Sequence, residues 1–309
     1  MRILVTGAAG YVGTAVVHDL LAAGHEPVAL AHRSEPRVPA GVTVRRGDVL
    51  DPDSMRASVV GVDGVVHLVA LSRIREAMQH PRLYYRVNVV GTLNVLDALA
   101  AETESTGRPG RLVFTSTAAV YGTPAQQPIK ESTPVAPLNP YASSKVASED
   151  LVRWQATTGN LGAVTLRIFN AAGAAGGSAD PDQGRLIPKA LAVASGSEPE
   201  LVVNGDGTAI RDYVHVADVA RAVRLALDAC DPGSYGVFNV GATPASVLDI
   251  VAAAERATGA KVPVTHRPAN ASESPALIAD TSQARTRLRW SPQHSALDEL
   301  LRDQLDPAS

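Results

Sequence analysis

A tyrosine and a lysine stand four residues apart in Tyr141-Ala142-Ser143-Ser144-Lys145, just behind Asn139-Pro140. Proline is favoured at the first turn of a helix, and an i, i+4 pair shares one helix face. An ammonium beside a phenol stabilises the phenolate and draws the tyrosine pKa down from its ordinary value of about 10. Such a phenolate takes a proton from a hydroxyl while hydride leaves the same carbon. Without further context the spacing describes only a surface tyrosine and a solvated lysine. A second cluster closes the apolar run Leu112-Val113-Phe114-Thr115-Ser116-Thr117. The carboxyl ends of strands in an open α/β sheet face the ligand crevice, which puts Thr117 within reach of a reacting oxygen; ordinary capping of the next turn is the alternative. Third, Thr6-Gly7-Ala8-Ala9-Gly10-Tyr11-Val12-Gly13 follows Arg2-Ile3-Leu4-Val5. A glycine turn between a short strand and a helix lets backbone N–H groups approach a dinucleotide pyrophosphate, and the helix N-terminus adds positive potential. Its G-x-x-G-x-x-G spacing departs from the usual G-x-G-x-x-G, so alone it also suits a turn that merely packs helix on strand.

The elements needed to position these groups are legible as an alternation. Strands are expected at Ile3–Thr6, Pro27–Ala31, Thr43–Gly47, Gly64–Leu68, Arg111–Thr115 and Ala163–Arg167. Helices are expected at Tyr11–Ala23, Pro52–Val59, about Leu83 to Thr103, and Tyr141–Thr157. Alternation of this kind implies βαβ units and a parallel sheet with helices on both faces. The polar stretch Glu104–Gly110 reads as a surface loop. Beyond Asn170, the glycine- and alanine-rich run from Ala171 to Gly184 reads as a linker or a substrate-covering loop. Helices at Leu186–Ser195 and Val247–Thr258, and strands at Leu201–Val203, Val237–Val240 and Val262–Thr265, suggest a smaller lobe. The division expected is 1–169 for a dinucleotide-binding domain and 170–309 for the lobe, with Tyr213–His215 and Val237–Val240 returning to the main sheet.

Composition narrows the function. With 309 residues the chain has room for one large or two modest domains, and a net charge of −3 gives no basic footprint for nucleic acid. Cys230 is the sole cysteine, so no internal disulfide forms, and the eight histidines show no metal-ligand spacing. No metal is expected. No apolar run reaches the roughly 18 residues of a membrane span. A first strand at residue 2 leaves no room for a leader, so a cytoplasmic location is expected.

Taken together, these motifs resemble the extended short-chain dehydrogenase/reductase family, and most of all its nucleotide-sugar 4-epimerases. The likeness extends through Gly47-Asp48-Val49, His67-Leu68-Val69-Ala70, Asn88-Val89-Val90-Gly91-Thr92, Arg167-Ile168-Phe169-Asn170, Arg211–Asp218 and Ala279-Asp280, in the family's order. It implies a Rossmann-type doubly wound parallel sheet with a smaller C-terminal α/β substrate-binding lobe. It implies that Gly7, Gly10, Tyr11, Val12 and Gly13 hold the pyrophosphate and that Asp48 and Val49 meet the adenine. Leu68, Val69, Ala70, Thr115 and Ile168 would line the cofactor channel, with His32 and Arg33 at its ribose end, and Asn88 would brace the central helix. Thr117, Tyr141 and Lys145 would be catalytic, the last two also touching the cofactor. Ser72, Thr117, Asn170, Arg185, Leu186, Val203, Arg211, Tyr213 and Glu273 would hold a nucleotide-sugar substrate; a structural salt bridge is the other reading of Arg211. Tyr141 would take the proton of the sugar 4-hydroxyl, hydride would pass to and from a tightly held cofactor, and the 4-keto sugar would turn over between the two transfers. Relatives dimerise through the long helices near Leu93 and Tyr141, which implies a homodimer.

Three departures qualify the resemblance. At the end of the second strand Ala31 replaces the acid that holds the ribose 2′-hydroxyl of NAD, and Arg33 stands two residues on, a residue type that accommodates the 2′-phosphate of NADP. Asp48 reads as too far along the chain to substitute, and NAD is kept ahead of NADP on the family's pattern. The relatives' Arg-x-Gly-Asp stretch is Asn270-Ala271-Ser272-Glu273, which loses a phosphate contact, while Arg185 replaces an asparagine and brings compensating charge. Leu277 falls where relatives tune tolerance at sugar C2 and leaves the sugar open. Ala118-Ala119 replaces the Asp-Glu pair of sugar-nucleotide dehydratases and argues against dehydration. Two alternatives stand beside the epimerase: an NADP(H)-dependent reductase of a 4-keto sugar nucleotide or other carbonyl compound, and a dinucleotide-sensing binding protein, a class that often loses the Tyr141/Lys145 pair.

Overall fold

The computed structural model describes residues 1–269 and 274–307. Seven strands form one all-parallel sheet: β1 Arg2–Thr6, β2 Glu26–Ala31, β3 Thr43–Arg46, β4 Gly64–His67, β5 Gly110–Thr117, β6 Leu161–Ile168 and β7 Tyr235–Val240. Their order is β7-β6-β5-β4-β1-β2-β3, so the direction of winding reverses between β1 and β4. That reversal opens a crevice at the carboxyl ends of these two strands. The chain therefore has the Rossmann-type doubly wound architecture. Helices cover both faces. Helices α1 (Tyr11–Ala22) and α5 (Val216–Asp228) enclose a core with Ile3, Val5, Val66, Val113, Leu166 and Phe238. Helices α2 (Pro52–Val59), α3 (Gly91–Thr106) and α4 (Pro140–Ala156) lie against the opposite residues, Leu4, Val28, Val65, Leu112 and Phe114. Strands buried on both faces read as continuous apolar runs, which is how they stand in the sequence.

A second core holds the smaller lobe together. Ile187, Leu191, Leu201, Val203, Ile250, Leu300 and Leu301 meet there, away from the main sheet. Its largest sheet centres on Ile210–His215, flanked by Thr243–Ser246 on one side and by Ala276–Leu277 and Asn170–Ala172 on the other. Tyr213–His215 thus corrects the expectation of a return to the main sheet: its edges are taken by lobe strands. Val237–Val240 does lie in the main sheet, paired in parallel with β6.

Other boundaries differ for local reasons. The expected long helix near Leu83–Thr103 is broken into Pro81–Tyr85, a π-helical turn Arg86–Val90, and α3. The carbonyl of Asn88, inside that turn, accepts hydrogen bonds from the Thr92 and Ser148 hydroxyls at 2.6 and 3.0 Å. The loop expected over Glu104–Gly110 shrinks, because α3 runs to Thr106, closes on left-handed Gly107, and Gly110 already starts β5. Nor is Ala171–Gly184 featureless: Ala174–Ala175 pairs with Ser178–Ala179 around Gly176-Gly177. The strand expected at Val262–Thr265 sits two residues later, at Val264–Arg267. Helix α5 and the helices Ile74–Gln79, Ser282–Arg287 and Leu297–Leu305 went unread. Among the described residues no helix is long and apolar enough to cross a membrane, and no group of acidic, histidine or cysteine side chains is arranged to hold a metal.

The Arg211–Asp218 motif turns out to hold the C-terminal segment in place. Asp218, fully buried at the start of α5, accepts from the Gln293 and His294 amides and the Ser295 hydroxyl at 2.8, 2.9 and 2.6 Å. Its carbonyl accepts the indole N–H of buried Trp290 at 2.8 Å. Replacing the carboxylate by an amide sets donor against donor. Asp218→Asn is expected to cost about 2–4 kcal/mol of stability in urea unfolding, with dinucleotide affinity of the folded protein unchanged.

Candidate active site

The glycine turn approaches its own strand as closely as backbone allows. Gly7 has φ of 72°, and a Cβ there would press on the Leu68–Val69 peptide. A Cβ at Gly13 would fall on the Gly7 carbonyl oxygen and the Ala8 Cα. Helix α1 starts at Gly10 with no side-chain cap and no acid in its first turn. Its leading N–H groups therefore have no anionic side chain to meet, which suits them to a phosphate. Tyr11 is committed elsewhere: its hydroxyl donates to the Gly173 carbonyl at 2.6 Å, and burial, then Asp180, raises its pKa. Only its backbone is left for a pyrophosphate.

From this turn a cleft of about 750 Å³ runs between the sheet edge and the lobe. Val12, Leu68, Ala70, Ser72, Thr115, Thr117, Tyr141, Lys145 and Ile168 line its sheet side, and Asn170, Arg185, Leu186, Val203, Arg211, Tyr213 and Leu277 its lobe side. The size fits a cofactor's reacting half together with a small substrate. Val69 and Val49 do not line it. The Val49 side chain packs into the core against Gly91, so of that pair Asp48 alone reaches solvent. His32 and Arg33 lie exposed outside the cleft, at the end of β2. Asp48, separated in sequence from the end of β2, comes close to it in space. Gly47 N–H donates to the Ala31 carbonyl at 2.9 Å, and the Asp48 carboxylate comes to 3.4 Å from His32 Nε2. Adjacent parallel strands close in space what the sequence separates. Glu273 and the rest of Asn270–Glu273 lie outside the described residues.

Thr117, Tyr141 and Lys145, the residues expected to react, line the same cleft. Thr117 ends β5, and its Oγ accepts the Ala119 N–H at 3.2 Å. Its proton is left free to donate, and the Thr117 hydroxyl opposes the rise of the Tyr141 pKa. The capping role read as an alternative in the sequence is thus present. Helix α4 is started by Asn139, whose Oδ1 accepts the Ala142 N–H at 2.9 Å, with Pro140 at the first position. It is docked by Asn88, whose amide bridges the Leu71 backbone and donates to Ser144 Oγ at 2.9 Å. The expected lowering of the Tyr141 pKa by Lys145 is corrected. Burial raises it above the ordinary phenol value, and the opposing influences are the Thr117 hydrogen bond and the Arg185 guanidinium. Lys145 is 3% exposed, with Nζ 4.0 Å above the Phe114 ring, and burial pushes its ammonium down to about 7 against Glu149. Its charge is thus spent partly on its own desolvation.

On the lobe side, Asn170 donates to the Asp212 carbonyl at 2.9 Å and Arg211 to the Ile210 carbonyl at 2.8 Å. Tyr213 is pushed up to about 12 by burial, with Arg211 opposing. Arg185 forms an ion pair with buried Asp180 at 3.1 Å. Sequence reading missed Asp180, Arg75 and Lys189 in the wall, because charges on loops and lobe helices carry no periodic signal. It also missed Ser116, whose buried hydroxyl lines the cleft with no hydrogen-bond partner among the described residues. An alternation of hydroxyls at a strand end could have pointed to it.

Comparison with known proteins adds to this geometry. The sequence signature of the NAD dependent epimerase/dehydratase family spans residues 3–241. The chain is 39% identical to a UDP-glucose 4-epimerase of Streptomyces lividans, over 96% of this chain and 93% of that protein. Its fold is similar to that of a UDP-glucose 4-epimerase from Stenotrophomonas maltophila bearing NAD and formylated UDP-arabinopyranose, with TM-score 0.89 and 32% identity over 98% and 96% of the two chains. A Bifidobacterium longum UDP-glucose 4-epimerase in complex with NAD+ and UDP matches with TM-score 0.88 and 30% identity over 99% and 97%.

A side chain at Gly13 displaces the turn that any dinucleotide must meet. Gly13→Ala is expected to keep the circular dichroism of the fold and lose dinucleotide binding in calorimetric titration. Unaltered binding would show that the turn only packs helix on strand.

Proposed function

From the premise that this chain belongs to the NAD dependent epimerase/dehydratase family, we propose that it is a nucleotide-sugar 4-epimerase acting on a UDP-hexose with NAD as its resident cofactor. The observation that carries this reading is the single cleft that joins the uncapped start of α1 to Thr117, Tyr141 and Lys145 and then to the cations of the lobe. The α1 turn would hold the pyrophosphate, and Leu68, Ala70, Thr115, Lys145 and Ile168 the nicotinamide half. Bound there, the dinucleotide supplies a reversible hydride acceptor and a positively charged ring.

The chain's own groups handle the proton. The Thr117 hydroxyl, at the end of β5 beside Tyr141, would donate to the Tyr141 oxygen and so meet the negative charge that Tyr141 must carry with a protein group rather than with water. Tyr141 takes the proton of the sugar 4-hydroxyl and returns it after the sugar has presented its other face. That turn is permitted by the apolar lobe wall, where Leu186, Val203 and Leu277 give non-directional contact and grip no sugar hydroxyl. Arg185 and Arg211 would hold the diphosphate, since guanidinium donors match phosphate oxygens in pairs. The anchored nucleotide then stays while the sugar moves.

Val90 and Leu93 are large apolar side chains exposed side by side at the start of α3, and we infer a homodimer through this face. Sedimentation is expected to find a dimer, and Leu93→Glu a monomer.

The decisive test is to denature the purified protein, identify the released dinucleotide by mass, and incubate native protein with UDP-glucose or UDP-galactose. NAD is expected, with epimer formed without added cofactor and no net change in nicotinamide absorbance. Tyr141→Phe is expected to retain the dinucleotide and lower kcat about 10²–10⁴-fold. Release of NADP, with NADPH consumed on a keto substrate, would overturn the assignment.

A further inference from the structure

A buried ionic network adjoins the reacting groups without taking part in the steps above. Glu149 is one turn beyond Lys145 on the same face of α4 and is 6% exposed. Arg167, at the end of β6, grips its carboxylate with Nε at 3.1 and 3.2 Å and Nη2 at 2.6 Å. Arg167 Nη1 also donates to the Tyr121 hydroxyl at 2.9 Å and to the Glu131 carbonyl at 3.2 Å. The guanidinium lies 4.8 Å over the Tyr121 ring, and Tyr121 donates in turn to Asn239 Oδ1 at 2.7 Å.

Burying such a pair gives little stability, because desolvation offsets the attraction and apolar residues would fill the space as well. Its placement suggests an electrostatic task. Lys145 forms no ion pair among the described residues, and its ammonium rests on a ring face. The groups around it come from four elements: Tyr141 and Glu149 from α4, His67 from β4, Phe114 from β5 and Arg167 from β6. Burial keeps His67 neutral, down to about 3, and raises the Tyr141 phenol above its ordinary value. The Glu131 carboxylate is bound to the Asn239 amide at 2.8 Å. Glu149 is the one charge that counters the desolvation of Lys145.

We propose that Glu149 is a positioning residue for Lys145: its charge keeps the buried ammonium protonated, and Arg167 both fixes that carboxylate and limits how much of its charge Lys145 feels. The chemical importance of this device rests on the function proposed above, but its test does not, because it reads the lysine itself.

The chain has only four lysines, Lys130, Lys145, Lys189 and Lys261. Protein labelled with [6-¹³C]lysine, as purified with its dinucleotide, therefore gives four side-chain resonances, and Lys145→Arg identifies one. In Glu149→Gln the Lys145 titration midpoint is expected to fall by about one to two units, the effect of one charge about 6–12 Å away at an effective dielectric near 20. Glu149→Asp, which keeps the charge, is expected to stay near wild type. Arg167→Gln is expected to raise the midpoint or leave it. A purely structural pair predicts the same direction in both charge-removing variants. A midpoint that does not fall in Glu149→Gln, or that falls in Arg167→Gln, would overturn the proposal. Shifts in the expected directions in a protein that forms no epimer would instead fail the functional reading and leave this one standing.

Discussion

The reversal of strand order between β1 and β4 is the constraint on which the rest depends. The connection leaving β1 crosses on one face through α1 and the one leaving β4 crosses on the other through α3, so at the reversal the connections part and leave the strand ends open. The glycine turn follows β1 at this opening, and His67-Leu68-Val69-Ala70 leaves β4 across from it. Thr6 Oγ, bonded to the His67 ring at 2.8 Å and to the Leu68 amide at 3.1 Å, fixes the two strand ends to each other. His67 can bridge Thr6 and Thr92 in this way because it is neutral. Its pKa lies below the ordinary histidine value, so the unfolded chain binds a proton that the native state refuses, and His67 withdraws stability as pH falls below about 6.5.

The second requirement is that α4 be held against the strand ends to within a hydrogen bond, since Thr117 belongs to β5 and Tyr141 to α4. An α-helix satisfies its own backbone and offers few polar handles in its middle. The fold supplies them by breaking a neighbour: the π-helical turn at Arg86–Val90 frees the Asn88 carbonyl for Ser148, while the Asn88 amide reaches Ser144. The irregularity that interrupts an otherwise long helix is therefore what registers the helix that carries Tyr141 and Lys145.

Much of this was legible from residue types. The alternation of strands and helices gave the sheet, and Asn139-Pro140 gave the start of α4, because short apolar runs and caps act locally. The π turn was not legible, since Asn88 shows no local signal and its partners lie on another helix. The lobe's sheet was misplaced for a related reason. Ile210–His215 reads as any buried strand, and which sheet it joins is decided by partners such as Asn170–Ala172 and Thr243–Ser246 that are far away in sequence. The wall charges Asp180 and Lys189 reach the cleft through loop and helix placement alone.

The end of β2 shows how such pairing alters a chemical argument. Ala31 offers no carboxylate, and Arg33 two residues on suggests a site for a 2′-phosphate. In register with Ala31, however, stands Arg46, which is engaged by Glu35. The turn after β3 carries Asp48 to His32. Two carboxylates thus stand near the end of β2, Asp48 from the turn after β3 and Glu35 from the loop before it. A 2′-phosphate adds up to two negative charges, which those carboxylates would repel, whereas a 2′-hydroxyl can donate to one of them. Carboxylates missing from β2 in the sequence are therefore present beside its end in space, an arrangement that accords with the NAD proposed above and not with a 2′-phosphate.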